Sequence, residues 1–308
     1  EVFRLGGGSG ARIHTDKSTT RCTSGPWARV PCGAMVKNSV DFVLRPFEGL
    51  PVEADLVAIR EVVPSATIRV RTTKEHGARE VLLTTILPAG WAALHRSDGV
   101  LLVALQTTAG SGDASRDVAQ VLLEALELEE GTPLEQPPVP TPGPRLQDVL
   151  DLDGPFEVTV LDGFDHWLAD DAERTAEIEA ALEEENATII PTVKLSSVES
   201  AYWCRMGGKE FLRWAQTVDD DALLDGLARL HAKRAPAIGD ARFIGAFRAC
   251  GIVIPVWELP RGTEAADIED AVAEYWPRFA EALGSTEPLT ADERRARGGL
   301  VARQVTLR

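Results

Sequence analysis

Hydrophobic residues recur along this sequence at helical spacing in some stretches and at strand spacing in others. The clearest helical pattern covers residues 267–283, where six apolar side chains fall on one face, mostly three or four residues apart. Similar spacing, bounded by proline or by capping residues, predicts further helices at residues 51–63, 114–128, 172–185 and 219–231 and from residue 290 onward.

Strands are predicted where apolar residues alternate with polar ones or run together. Residues 67–71 alternate, with Ile68 and Val70 on one face. Residues 100–106 are almost wholly apolar, which is typical of a strand buried on both faces. The same criteria predict strands at residues 41–44, 80–87, 156–161, 188–194, 243–247, 252–257 and 304–307.

Proline divides the chain into two parts. Six of the twelve residues at 133–144 are proline, a composition typical of an extended, semi-rigid linker. We therefore predict a first α/β lobe at residues 39–132, a Pro-rich linker at 133–144 and a second α/β lobe at 145–308, with a helical insert of two or three helices at 198–233. Residues 1–38 are rich in glycine and basic residues, and we interpret them as a disordered or non-native N-terminal segment.

The predicted fold class is α+β, with two mixed α/β lobes that resemble each other in sequence. Ala-Thr-Ile at residues 66–68 recurs at 187–189, and the apolar strand at 99–103 has a counterpart at 251–255 that also leads into a turn and a helix. These short matches indicate a degenerate duplication. The alternative is two unrelated halves that use the same turn chemistry.

Charge and cysteine content limit the classes of partner. The 308 residues include 32 Lys or Arg and 48 Asp or Glu, so the net charge is −16. This charge repels nucleic-acid phosphates and anionic membranes. No apolar run reaches the ~18 residues of a membrane span, and the first twenty residues contain no signal-peptide core. Four scattered cysteines are not a disulfide scaffold, so we expect a cytoplasmic protein whose partner is another protein or a small molecule.

An acidic loop at residues 162–171 carries the densest set of ligand-type side chains. Asp162, Asp165 and His166 are residue types that hold divalent metals, although their spacing matches no known ligand motif. The alternative is structural, because Asp170 or Asp171 can cap the next helix. No cofactor is predicted from this loop alone.

A thiol and an imidazole form the second candidate site. Cys204 lies next to Arg205, which can lower a thiol pKa, and His231 is a candidate base with Asp219 or Asp220 to orient it. The alternative is that Cys204 and His231 are core residues, since cysteine is among the most buried residue types. Cys250, next to an apolar strand, is predicted to be in the core.

Three further patterns in the sequence give weaker signals. The glycine-rich turn at residues 110–116 lies between a strand and a helix, where amides bind anions, but its aspartates favour a simple capped turn. His14, Cys22 and Cys32 lack the paired spacing of a zinc site. Tyr202 and Trp203 stand beside two glycines and are a candidate contact surface.

From residue 45 to its end, the sequence resembles an uncharacterised actinobacterial protein family of unknown function. The resemblance rests on motifs at residues 45–51 (RPFEGLP), 110–117 (GSGDASRD), 143–150 (GPRLQDVL), 201–204 (AYWC), 243–247, 253–260 (VIPVWELP) and 303–308 (RQVTLR). Members of that family often carry an N-terminal SecA-type (SEC-C) zinc motif, a Cys-x-Cys with a distal Cys-His. That motif is absent here, so the resemblance implies zinc only for members in which it is intact.

The leading hypothesis is therefore a non-catalytic binding or interaction protein with a ligand or partner held between two lobes, because clefts between domains are favoured pocket sites. The alternative is a cysteine-dependent or metal-dependent hydrolase or transferase that uses Cys204 and His231, or Asp162, Asp165 and His166.

Overall fold

The computed structural model describes residues 41–106, 110–139, 141–233 and 238–301, together with the backbone of 304–306. Within these residues the chain forms two six-stranded sheets and seven α-helices. The helices are α1 (Glu53–Glu61), α2 (Ala114–Ala125), α3 (Leu146–Val149), α4 (Ala176–Asn186), α5 (Asp220–Ala232), α6 (Ala265–Gly284) and α7 (Ala291–Val301). The fold is thus mixed α+β, as the sequence predicts.

Each sheet collects strands from one main stretch of the chain. The first sheet contains β1 (Ala66–Arg71), β2 (Glu80–Thr84), β3 (Ala93–His95), β4 (Leu101–Ala104), β5 (Thr132–Leu134) and β6 (Glu157–Val160). The second contains β7 (Thr192–Lys194), β8 (Ala201–Met206), β9 (Lys209–Trp214), β10 (Arg242–Ala249), β11 (Ile252–Glu258) and β12 (Gln304–Thr306). Strand β6 follows the proline-rich segment in sequence but pairs with β1, so the segment at 133–144 does not separate the two sheets.

The two sheets follow a similar strand order over five of their six strands, but the strand beside β1 is the last strand of its sheet (β6), whereas the strand beside β8 is the first of its sheet (β7). The first runs β5-β3-β4-β2-β1-β6 and the second β12-β10-β11-β9-β8-β7. The hairpins β3–β4 and β10–β11 occupy matching places in the two sheets but run in opposite directions relative to the neighbouring strand. Strand β4 is parallel to β2, whereas β11 is antiparallel to β9. Helix α5 explains the difference: a helical connection lets β10 start in the same direction as β9, whereas the short link from β2 to β3 reverses the chain.

Helix α1 packs into a core that contains side chains of both sheets. Leu56, Val57, Ala58 and Ile59 are all buried, as expected for a helix covered on every side. The same cluster includes Ile68 of the first sheet and Ile254 of the second. Helices α5, α6 and α7 cover the outer face of the second sheet, and α4 with the loop before it covers that of the first. Residues from Asn38 onward group as one compact unit.

The predicted helical insert at residues 198–233 is wrong in its first half. Residues 201–206 and 209–214 form the hairpin β8–β9, and only α5 is helical. Both turn residues, Gly207 and Gly208, have positive φ (60° and 73°), as a two-residue hairpin turn requires. Alternating apolar residues on either side of Gly-Gly are a hairpin pattern. Residues 41–44 form no strand, and of 188–194 only β7 does.

Candidate functional site

A cleft of about 660 Å³ opens where connections from both sheets meet. Its walls come from the entry segment at residues 42–46, the end of α1 at Arg60 and Glu61, the loop at 110–114 and the turn between β10 and β11 at 248–251. Phe42, Val43, Leu44 and Pro46 give the entry wall an apolar surface. A cleft of this size and lining is typical of sites that hold small molecules.

The β10–β11 turn forms the floor of this cleft, and its backbone is tightly constrained. Ala249 pairs with Ile252, so Cys250 and Gly251 are the two turn residues, and both have positive φ (45° and 77°). A Cβ on Gly251 would lie 2.5 Å from the carbonyl oxygen of Leu44, so glycine is required for close approach as well as for φ. For Cys250 the left-handed conformation costs about 1–2 kcal/mol relative to glycine.

Cys250 lines the candidate cleft, a position that the sequence did not predict. The sequence places it in the core, whereas the structure places it half-buried in the cleft wall, with Sγ 3.6 Å from Glu61 Oε1. Burial, reinforced by the Glu61 carboxylate, raises the pKa of the Cys250 thiol to about 12. The thiol therefore keeps its proton at neutral pH and donates to Glu61. Cys-Gly between two apolar runs is the hairpin signal that would have located it.

Most charged side chains around the cleft are held in ion pairs, and Asp117 instead accepts a hydrogen bond from the Ser111 amide. Arg60 Nε lies 3.2 Å from Glu61 Oε1, and the guanidinium of Arg60 also donates to the Leu105 carbonyl. Arg248 Nε lies 2.5 Å from Asp220 Oδ2. Because these charges offset each other, what the cleft offers a ligand is mainly apolar surface.

The glycine-rich loop at residues 110–116 is closed by a side chain of α2, while Asp113 at the start of that helix makes no side-chain capping hydrogen bond. The Ser111 amide, which an anion would need, donates instead to the Asp117 carboxylate, at 2.9 Å from Oδ2. Asp113 is fully buried and pairs with Arg145 at 2.9 Å. Two acidic side chains therefore lie in this segment, one of them bonded to a loop amide, and both disfavour a phosphate here.

Three of the motifs that carry the family resemblance meet in one polar network beside this loop. Ser115 Oγ lies 2.6 Å from Gln147 Oε1 and accepts from the Leu146 amide at 3.0 Å. Gln147 Nε2 and the Arg145 guanidinium both donate to the Pro46 carbonyl, at 2.9 and 2.8 Å. The motifs at 45–51, 110–117 and 143–150 thus hold the entry segment against α2 and α3.

Cys204 and His231 are placed in different environments. Cys204 lies in β8 with no exposed surface, and burial raises its thiol pKa, which an opposing contribution from Arg213 does not reverse. His231 is exposed near the end of α5. A sealed, protonated thiol is a poor nucleophile. These surroundings do not favour a thiol site, and the catalytic role stays a prediction.

The acidic loop holds His166 but does not bring its candidate ligands together. Asp162 is exposed, and Asp165 pairs with Arg174 at 2.7 Å. His166 Nε2 lies 2.9 Å from Thr84 Oγ1, which also lies 3.2 Å from the Ala66 carbonyl oxygen. Desolvation lowers the His166 pKa to about 4, against an opposing contribution from the Gly163 backbone.

The remaining predictions are placed as follows. Tyr202 and Trp203 are almost fully buried, and Trp203 Nε1 donates to the Thr263 carbonyl at 2.9 Å, so they form no contact surface. No cluster of three potential metal ligands occurs in the part of the chain that the structure describes. His14, Cys22 and Cys32, like the N-terminal segment as a whole, lie outside it. None of the described helices is long and apolar enough to span a bilayer.

Comparison with known proteins gives a match at the level of a protein family. No curated protein and no solved structure matches the chain. The model of a family of unknown function (DUF5926) matches residues 46–308 and therefore includes every helix and strand described above. The chain belongs to this family.

Proposed function

We propose that this protein is a non-catalytic binding protein that holds a small, mainly apolar molecule in the cleft between the entry segment and the Cys250–Gly251 turn. The observation that carries the proposal is the cleft itself, at about 660 Å³, with apolar walls and internally paired charges. A small number of polar groups among apolar walls is the usual composition of a ligand pocket.

The strained cysteine supports the same conclusion. A non-glycine residue in a left-handed conformation persists where the surroundings impose it, and such residues cluster at functional sites. The Cys250 thiol is protonated and bonded to Glu61, so it contributes a weak polar contact to a ligand rather than a nucleophile. Binding without covalent chemistry is the role that fits this group.

The arrangement of the chain supports a site that depends on both halves. We infer that the two sheets derive from a degenerate duplication and act as two lobes around α1, since five of the six strands in each sheet follow a similar order. The cleft takes one wall from the connections of each sheet. We place the protein in the cytoplasm, because four scattered cysteines suit a reducing compartment.

Filling the cleft tests this proposal. The probe is 1-anilinonaphthalene-8-sulfonate, whose fluorescence rises in apolar pockets, added to the full chain. Ala114→Trp places an indole in the cleft wall, and the matched control Ala180→Trp places one on the exposed face of α4. We expect Ala114→Trp to reduce the fluorescence gain severalfold and Ala180→Trp to leave it unchanged. Equal probe binding by both variants, or none by the unmodified chain, contradicts the proposal.

A further inference from the structure

A second cleft, of about 340 Å³ and mainly polar, lies at the start of α1. It shares no lining residue with the first cleft. Its polar walls are Glu53 and Asp55 from α1, Lys194 from β7, and Glu199 and Ser200 from the loop before β8. Neither the sequence motifs nor the family assignment gives this cleft a role.

Asp55 is the central group of this cleft. Only 5% of its surface is exposed, and its side chain pairs with two partners. Tyr202 donates its hydroxyl to Asp55 Oδ1, and Lys194 Nζ lies 2.9 Å from the same oxygen. Burial and the adjacent carboxylate raise the Tyr202 pKa, so the phenol keeps its proton and acts as a donor. Because both partners contact Oδ1, Oδ2 is the oxygen left for a ligand.

Hydrogen-bond donors stand opposite this carboxylate. Lys194 is about a quarter exposed and has more ammonium protons than its one contact with Asp55 uses. Helix α1 has no side-chain cap at Val52, and the amides of Ala54 and Asp55, in its first turn, have no acceptor within the helix. These amides and Lys194 form the donor side of the cleft.

Of the other two acidic side chains of this cleft, Glu53 is held in an ion pair and Glu199 is free to face a ligand. Both oxygens of Glu53 are held by the Arg45 guanidinium, with Oε2 2.9 Å from the donating nitrogen. Glu199 is exposed at the rim. Ser200, with φ of 54°, positions this rim against β8. The cleft therefore has an acceptor side at Asp55 and Glu199 and a donor side at Lys194 and the start of α1.

We propose that this second cleft binds a small zwitterion of the α-amino acid class. The ammonium group binds Asp55 Oδ2 and faces Glu199, and the carboxylate binds Lys194 Nζ and the first-turn amides of α1. A phosphate dianion is disfavoured because it would face Asp55 and Glu199. A simple cation would leave Lys194 and the amides unused and would be repelled by the lysine.

Binding is tested on the full chain with each standard amino acid, added singly at millimolar concentration. Differential scanning fluorimetry finds the ligand, and calorimetry then measures its affinity. We expect at least one amino acid to bind. Two analogues of that amino acid, the amine without its carboxylate and the carboxylic acid without its ammonium group, should each bind at least about tenfold more weakly. Failure of every amino acid to bind overturns the proposal, as does an amine that binds as tightly as the whole zwitterion.

Variants assign the binding to this cleft. Lys194→Gln and Glu199→Gln change side chains that reach solvent and should weaken binding, the lysine variant by about tenfold or more. Lys74→Gln, at an exposed lysine outside the cleft, should leave it unchanged. Ala114→Trp, which fills the first cleft, should also leave it unchanged, so this result separates the two proposals. Undiminished affinity in Lys194→Gln overturns the assignment.

Discussion

The Arg145 guanidinium donates a hydrogen bond to the carbonyl of Pro46, 99 residues earlier in the chain, at 2.8 Å. The same guanidinium pairs with Asp113, which has no exposed surface. One side chain thus holds the entry segment, the glycine-rich loop and α3 together at the edge of the first cleft. The motifs at residues 110–117 and 143–150 are therefore joined by an ion pair with a structural role.

Removing this arginine should be strongly destabilising. Arg145→Met leaves the Asp113 charge buried without its main partner, a change that costs on the order of 3–5 kcal/mol of unfolding free energy. Urea denaturation monitored by circular dichroism measures the loss. Arg174→Met removes an exposed pair with Asp165 and should change the unfolding free energy by less than about 1 kcal/mol. Similar effects of the two variants would show that the Asp113 pair is not needed for stability.

Adding one methyl group at the β10–β11 turn should be more harmful than adding it at a comparable open glycine. Gly251→Ala introduces a Cβ at 2.5 Å from the Leu44 carbonyl, at a residue with φ of 77°. Gly262→Ala provides the control, since Gly262 has φ of 85° but no atom within 4 Å of the added Cβ. We expect a loss of about 1–2 kcal/mol at Gly262 from backbone strain alone. Thermal denaturation should show a larger loss at Gly251, and equal losses would mean that the entry segment moves aside freely.

The buried His166 should make the protein less stable in acid. Its pKa is lowered to about 4 in the folded chain against 6.5 for the ordinary group, because burial disfavours the charged form. The unfolded chain therefore binds more protons between these values, and stability falls as pH drops from about 6.5 to 4, by on the order of 2–3 kcal/mol. His166→Gln should flatten this part of the urea-denaturation profile, whereas His231→Gln, at an exposed histidine, should not. An unchanged profile in His166→Gln contradicts the assignment.

The two described cysteines should react slowly with alkylating reagents. Burial raises both thiol pKa values, that of Cys250 to about 12, so little thiolate is present near neutral pH. In a chain with Cys22→Ser and Cys32→Ser, the iodoacetamide rate measured by mass spectrometry should climb steadily with pH through 10, with Cys250 ahead of the sealed Cys204. A plateau near neutral pH at Cys204 would support the thiol-enzyme alternative.

The local spacing of hydrophobic and polar residues was sufficient to predict most of the helices and strands. The alternation in β1, the apolar run in β4 and the long amphipathic face of α6 all appear close to their predicted positions. The hairpin β8–β9 was missed because Trp, Tyr and Leu suit a buried helix as well as a strand, so that only the Gly-Gly turn separates the two interpretations. Strand β6 lies beyond the prolines, and which sheet it joins depends on long-range pairing.

The amino-acid sequence by itself determined the α+β class, the positions of most elements and the motifs that mark the family, because these depend on residue spacing and on turn and capping chemistry. Only the tertiary structure decided that Cys250 lines a cleft, that Asp113 meets Arg145, and that Asp55, Lys194 and Tyr202 share one buried site. Each of these depends on how elements that are distant in the chain pack together. Contacts between residues far apart in the chain leave no periodic trace in the sequence.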